Sequence, residues 1–399
     1  MFMRRTKMTP SSSSVSRTNP ALVNIFTRFL RLGLTAFGGP AMVAYIRTMA
    51  VEREEWLDDT TFNSGVSLCQ TLPGATAMQV AAYTGLKVRG LAGAIAAFTG
   101  FGLPAFVLMM MLSALYFQTS SLPPVVSVFR GLAVIIIAII ATAAISFARI
   151  SLKRWVHAII AGIAAVLFLS GVPPILVILI AALLGLLIPG GDAPAPEPPR
   201  TKTTRGLEKG YFILVGLVAA MFLVLFFFSK ELFELAAVMF RVDLFAFGGG
   251  FASLPLMYHE VVNAHAWLDS ATFLSGIALG QVTPGPIVVT ATFVGYLVAG
   301  FWGGVIATVA IFSPSFLLVV GAEPYFDRMQ GSPLFRRAVR GILLSFVGLL
   351  LSVTIRFAMG ILWDWPLVLL GAGAFAALLL GGEILWVVIA GVALSYLFF

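Results

Sequence analysis

About a dozen stretches of this 399-residue chain stay apolar for close to the roughly 20 residues that a helix needs to cross a hydrocarbon core. They are rich in Leu, Ile, Val, Phe, Ala and Gly and show little period-2 alternation, so they read as helices and not as the strands of a membrane barrel. The chain is 60% hydrophobic and 11% charged, with a mean hydropathy of +1.02; a soluble domain carries about twice that share of charge. The expected fold class is all-α membrane, a polytopic helical bundle with the lipid bilayer as its solvent.

The formal net charge of +8 raises nucleic acid as a partner, but the Lys and Arg residues flank the apolar stretches instead of forming one basic face, so no nucleic-acid partner is expected. One cysteine, Cys69, excludes an intramolecular disulfide. With three scattered histidines, His157, His259 and His265, it leaves no spacing that holds a metal or haem, so neither metal nor cofactor is expected. Residues 1–20, with Arg4, Arg5, Lys7, Arg17 and the serine run 11–14, lack the apolar core of a secretory signal and read as a disordered basic tail.

The chain repeats itself. Phe37-Gly38-Gly39 recurs 210 positions later as Phe247-Gly248-Gly249, and Arg31 falls on Arg241 at the same offset. Trp56-Leu57-Asp58 matches Trp267-Leu268-Asp269, and Gln70 with Pro73-Gly74 matches Gln281 with Pro284-Gly285. Gly85, Gly90, Gly93, Pro104 and Arg130-Gly131 recur as Gly295, Gly300, Gly303, Pro314 and Arg340-Gly341. The expected organisation is a first membrane repeat over 21–189, a Pro-rich charged linker over 190–209, one unpaired apolar helix over 210–229, and a second repeat over 230–399.

If each copy makes six crossings, the unpaired helix starts the second copy on the opposite face, which gives inverted repeats and about 13 spans. The charges follow that scheme. Lys87 and Arg89, then Arg149, Lys153 and Arg154, mark alternate turns of the first copy, while its 118–124 connection is uncharged. In the second copy Leu297 and Ala299 replace Lys87 and Arg89, and Arg328, Arg336, Arg337 and Arg340 flank the turn that matches the uncharged one. With the tail and linker cytoplasmic, this is the trace of the positive-inside rule on two oppositely inserted copies, with the C-terminus periplasmic. A re-entrant pair of half-helices in place of each broken helix would lower the count by one per copy.

The broken segments carry the functional signal. Residues 61–71 and 75–88 are half-helices separated by Leu72-Pro73-Gly74, and 269–282 and 287–298 repeat the design around Thr283-Pro284-Gly285-Pro286. Proline removes a backbone donor and glycine tolerates unusual dihedrals, so the helix unwinds and frees N–H groups. The half-helix that follows begins with a positive dipole end at membrane depth, which suits an anion. Gln70, Thr71, Thr76, Gln281, Thr283 and Thr290 add uncharged polar groups near the breaks. They serve either to bond the freed backbone or to line a site, and matched kinks in two copies favour a site. Phe37-Gly38-Gly39-Pro40 and Phe247-Gly248-Gly249-Gly250 allow close approach of backbone or ligand, and tight helix packing explains them equally well. Arg31 and Arg241, two turns before those glycines, are oxyanion ligands by chemistry; snorkelling explains Arg31 and a structural pairing with Glu234 or Asp243 explains Arg241. Glu52, Glu54, Glu55, Asp58 and Asp59, and in the second copy His259, Glu260, His265 and Asp269, are proton-relay residue types that read better as solvated connectors.

Phe-Gly-Gly, Trp-Leu-Asp and Gln-x-x-Pro-Gly, each present twice, together with the glycine-rich helices around Gly90 and Gly300, resemble the chromate ion transporter family in its long, two-domain form. The resemblance runs from about Arg28 to the end of the chain, sparing the linker. It implies a bacterial inner-membrane carrier that exports chromate, confers chromate resistance and meets sulfate as a chemically similar competitor. It carries onto Phe37-Gly38-Gly39-Pro40, Gln70, Pro73-Gly74, Phe247-Gly248-Gly249, Gln281 and Pro284-Gly285 as substrate-binding residues. Pro40 against Gly250 and Ala75 against Pro286 depart from internal symmetry, so the half-sites contribute unequally. The expected function is secondary transport of a divalent tetrahedral oxyanion, chromate by the resemblance, with sulfate or another oxyanion as the alternative cargo and no enzymatic step; a homodimer is accommodated by such a bundle. No phosphate loop of the G-x-x-x-x-G-K-[ST] type occurs, so a gradient or exchange drives it. An intramembrane enzyme acting on an anion or lipid would need a nucleophile with an oriented base, and none is visible around Cys69 or the histidines.

Overall fold

The computed structural model describes residues 20–37, 41–188 and 207–398. The tail, most of the linker and Gly38, Gly39 and Pro40 lie outside the described residues. The rest folds into helices joined by short turns, with an isolated antiparallel bridge between Pro73 and Phe247.

In the first copy, α1 (Leu22–Thr35) leads to the Phe-Gly-Gly turn, and α2 (Ala41–Arg47), extended by a wider turn over Thr48–Arg53, follows it. These two arms fold back on each other: Arg28 pairs with Glu54 at 2.9 Å, although a straight helix would separate them by roughly 40 Å. The Pro-Gly break does the same to α3 (Asp59–Thr71) and the first part of α4 (Thr76–Thr119). The Tyr83 hydroxyl donates to the Thr61 carbonyl at 3.3 Å, where a continuous helix would place them roughly 30 Å apart. Gly65 makes room for the Tyr83 ring, because any Cβ there would overlap it. The Pro-Gly-broken helices therefore fold as hairpins, the pair of half-helices that the sequence leaves open as the alternative to a broken crossing.

The capping explains where these arms begin. Asp58 accepts from the Thr61 N–H at 2.7 Å, and Asp269 accepts from the Thr272 N–H at 2.8 Å, so the Trp-Leu-Asp motif is an N-cap used twice. At the far end of the hairpin α4 bends at Arg89-Gly90, where Gly90 takes φ +62°, and residues 91–119 run back as a long arm packed on the half-helix through Gly85 and Gly93. α5 (Pro123–Ser151), α6 (Trp155–Leu169) and α7 (Pro174–Leu187) complete the copy.

α8 (Leu207–Phe228) is the unpaired helix, with Phe212, Leu217, Leu223 and Phe227 exposed for lipid contact. The second copy repeats the pattern with α9 (Lys230–Leu244), α10 (Gly250–Tyr258), α11 (Ser270–Val282), α12 (Thr290–Ala322), a short α13 (Phe326–Gly331), α14 (Pro333–Met359), α15 (Trp365–Leu379) and α16 (Ile384–Phe398). Arg241 pairs with Glu260 at 2.8 Å across the first hairpin, Phe293 packs on Gly276 across the second, and Gly300 repeats the bend at φ +63°. Among the described residues, five helical segments are long and apolar enough to cross a membrane: 76–119, 123–151, 209–228, 287–325 and 333–359.

The copies interlock about a pseudo-twofold axis. Gly131 packs on Ser395, and their counterparts Gly341 and Gly185 pack on each other, which is the reciprocity a twofold imposes. The direction of each copy follows from the α4 arm, roughly 40 Å long. Lys87 lies at its start and pairs with Glu323, whereas Phe117 near its end stacks on Tyr296. Lys87 and Leu297, equivalent by sequence, thus lie near opposite ends of the molecule. The end holding Lys87 also gathers Arg28, Arg47, Arg89 and the start of α8, whose Gly210 touches Leu91. Below, this end is called the basic face.

Candidate functional site

The two Pro-Gly breaks are each held by the other copy. The Gly74 N–H donates to the Ala246 carbonyl at 2.9 Å, and the Gly285 N–H donates to the Ala36 carbonyl at 2.9 Å. Each Pro-Gly break is thus held by the residue preceding the other copy's Phe-Gly-Gly. Gly74 and Gly285 adopt φ +114° and +110°, a region that any side chain would strain, which is why glycine follows proline in both breaks.

A cavity of about 650 Å³ lies on the basic-face side of this junction. Gln70, Ala75, Thr76 and Ala77 of the first break contribute one wall, Gly248, Gly249 and Gly250 of the second copy another, and Pro286 and Ile287 close it inward. Arg47, Asn63 and Ser151 lie toward the mouth, and Phe147 and Leu343 complete the apolar sides. Two helix N-termini border the space, Thr76 starting α4 and Gly250 starting α10, so unsatisfied first-turn N–H groups and two positive dipole ends converge there. Gly248 and Gly249, at φ +97° and +91°, make the tight turn, and a Cβ on Gly249 would sit 3.1 Å from the Thr76 hydroxyl. The copies approach so closely here only because the turn has no side chain.

Of the sequence-selected residues, Gln70, Thr76, Gly248, Gly249 and Gly250 line the cavity. Pro73, Gly74, Pro284 and Gly285 form the junction behind it, and Phe247 bridges to Pro73. Thr71 and Thr283 bond their own helix ends, donating to the Leu68 and Gly280 carbonyls at 2.8 and 3.0 Å. Gln281 lies off the cavity with its amide nitrogen buried and without a partner among the described residues. Gly38, Gly39 and Pro40 fall outside the described residues, and Phe37 is half-buried beside them. Arg31 is exposed away from the cavity, and Arg241 braces its hairpin through Glu260 instead of pairing with Glu234 or Asp243. The acidic residues at the hairpin ends are pairing and capping groups: Arg47 binds Glu52 and Asp59, the latter at 2.6 Å. His259, at the outer end of its hairpin, has a pKa below its usual value because of burial, with Glu260 opposing, and is neutral at pH 7.

Sequence reasoning missed Arg47, Asn63 and Ser151. None belongs to a repeated motif, and only folding of the hairpins brings them beside Gln70. An apolar groove of about 380 Å³ between α4, α8 and α12 is walled by Phe98, Phe312 and Phe316 and offers nothing to an anion.

The chromate transporter family model matches this chain twice, over residues 23–186 and 233–396, an offset that equals the 210 residues between the motifs. The chain belongs to the chromate transporter family. An uncharacterized transporter of Methanocaldococcus jannaschii is 41% identical over 385 residues, covering 96% of this chain and 95% of its own length. Chromate transport proteins of Cupriavidus metallidurans and Pseudomonas aeruginosa are 31% and 30% identical over 356 and 393 residues, with 88% and 94% of this chain covered. They span 86% and 90% of those relatives. No solved structure matches. The transporter is a multi-pass membrane protein, and both family matches contain a complete pair of hairpins.

Proposed function

We propose that the protein is a secondary carrier that exports chromate across the bacterial inner membrane and so confers resistance to it. The observation that carries this reading is the cavity at the crossed hairpin tips. Two helix N-termini, the Gly-rich backbone, Gln70 and Thr76 present donors without a fixed charge aimed at its inner end, as a dianion that must be released again requires. Arg47 at the mouth is already paired with Asp59 and Glu52, so it adds no free positive charge that would trap the anion.

The two copies insert in opposite senses, the first repeat over 21–189 and the second over 230–399, with α8 between them. Parity supports this: a hairpin returns to its own face just as two crossings would, so α8 alone changes the starting face. The basic face is the cytoplasmic one by the positive-inside rule, which puts the N-terminus inside and the C-terminus outside. The cavity then opens to the cytoplasm and ends at the junction. Rocking of the copies would close it and expose the counterpart side, beside Gln281 of the second break. That counterpart is less polar, since Arg47, Asn63 and Ser151 become Met257, Leu274 and Ile361.

Counterflow of labelled chromate in proteoliposomes tests the reading, with sulfate as competitor. Saturable exchange that requires chromate on both sides supports a carrier. Flux that neither saturates nor shows counter-transport would indicate a channel, and reduction of chromate by the purified protein would restore the enzyme alternative.

A further inference from the structure

We infer that Asp243 is a proton-binding site, coupled to oxyanion binding through Ser315 and Ala75; this rests on the carrier reading above. Asp243 lies one position before the end of α9 and is fully buried. Its Oδ2 accepts from the Ser315 N–H at 2.9 Å and from the Ser315 hydroxyl at 2.6 Å. Ser315 Oγ in turn accepts from the Ala75 N–H at 2.8 Å. Ala75 also lines the cavity, so a chain of two hydrogen bonds leads from the carboxyl group to the wall of the anion site.

Two features mark this as more than a structural contact. First, Oδ1 has no partner among the described residues, and neither has Oε1 of the buried Gln79, whose Nε2 donates to the Pro73 carbonyl at 2.6 Å. Both side chains border Gly74: a Cβ built there would lie 3.0 Å from Asp243 Oδ2 and 3.1 Å from Gln79 Nε2. The junction therefore holds two buried acceptors and lacks a donor, and a proton on the carboxyl group is that donor. Second, the fold does not need the carboxyl group. At the pseudo-symmetric junction Asp243 and Ser315 become Gly33 and Ala105, and the matching Gly285-to-Ala36 hydrogen bond forms there without them.

Among the described residues no cation pairs with Asp243. α12 carries no charged residue, and Glu323 just past its end, two turns beyond Ser315, is paired with Lys87 of the first copy. α10 has no charged residue, and beyond it Glu260 is engaged by Arg241 and approached by His265 while His259 lies alongside. Arg241, two positions before Asp243 on α9, projects from a different face. On α8 the nearest described charge is Lys209 at the opposite, basic end. A charged carboxylate behind Ala75 would repel a dianion held on the other side, and a neutral one would not. Proton and oxyanion thus bind cooperatively, and the proton exchanges only when movement of the copies opens the junction.

The test uses the full chain in proteoliposomes, with chromate counterflow and an internal pH dye read together. Wild type should move protons when chromate is added. Asp243→Asn should retain chromate counterflow, lose the linked proton movement, and bind chromate without the roughly tenfold loss of affinity that deprotonation imposes on wild type. Wild type and variant are compared at equal pH, so that chromate's own protonation cancels. Chromate-linked proton movement that persists in Asp243→Asn overturns the proposal. Should that variant fail to fold, Ser315→Ala keeps the carboxyl group and removes one donor to its charged form, so the pH midpoint of chromate binding should move upward; an unmoved midpoint overturns the proposal equally. Absence of counterflow in wild type would instead remove the carrier reading and this inference with it, whereas counterflow without proton movement removes the inference alone.

Discussion

Replacing Gly74 by alanine attacks the junction and the strap behind it in one step. The residue sits at φ +114°, and an added Cβ would overlap Ser315 Oγ. Holding a non-glycine residue there costs about 1–3 kcal/mol of backbone strain. The Ser315 hydroxyl must also rotate away, which leaves the buried Ala75 N–H without its acceptor and costs a further 1–3 kcal/mol or so. The sum is roughly 2–6 kcal/mol. Gly90→Ala supplies the control, because Gly90 also has positive φ, at +62°, but an added Cβ there meets nothing within 4 Å. Only the strain term applies to it. Unfolding free energies in mixed micelles should therefore place Gly74→Ala below Gly90→Ala by about the value of one orphaned buried donor. Pairing Gly74→Ala with Ser315→Ala restores neither the strained φ nor the Ala75 bond, so the double variant should be no more stable than the single one. Equal stability of the two glycine variants would refute the tight crossing of the two copies.

Three further outcomes follow from the geometry. Thr76→Val removes a hydroxyl at the inner wall of the cavity while keeping the side chain's shape, and should weaken chromate binding roughly 10- to 100-fold, the value of a hydrogen bond to a charged group, without loss of folded protein; unchanged affinity would move the anion elsewhere. Arg241→Ala breaks a partly exposed ion pair and should cost no more than about 1 kcal/mol, and both it and Arg31→Ala should retain counterflow, so loss of counterflow with normal protein level would return these arginines to the site. Cysteines placed at Lys87 and at Leu297 should react with impermeant reagents from opposite sides of the membrane; the native Cys69 is fully buried and does not interfere, and labelling from a shared side would remove the opposite insertion.

Much of this was readable before folding because it depends on local chemistry. Apolar runs demand helices in lipid, since backbone groups there have no other partners. Proline and glycine at 73–74 and 284–285 interrupt a helix wherever they fall, and Asp58 and Asp269 cap the helices that lead into those breaks. The doubling itself is a property of the string of residues.

What needed the tertiary structure was every decision about partners. Whether an interrupted helix continues or turns back depends on what packs beside it, and here Tyr83 against Gly65 and Phe293 against Gly276 turn it back. The arginines two turns before Phe-Gly-Gly have the right chemistry for an oxyanion, yet a helical face that points away from the tips takes them out of the cavity. Asp243, Ser315 and Ala75 are far apart along the chain and belong to no motif; packing of α9 on α12 joins the first two, and only the crossing of the copies brings Ala75 to them. From the sequence alone come two copies, two breaks and their chemistry; the structure decides that each break closes on the alanine before the other copy's Phe-Gly-Gly, because a freed and buried N–H must find its acceptor within the protein and the carbonyl it meets belongs to the other copy.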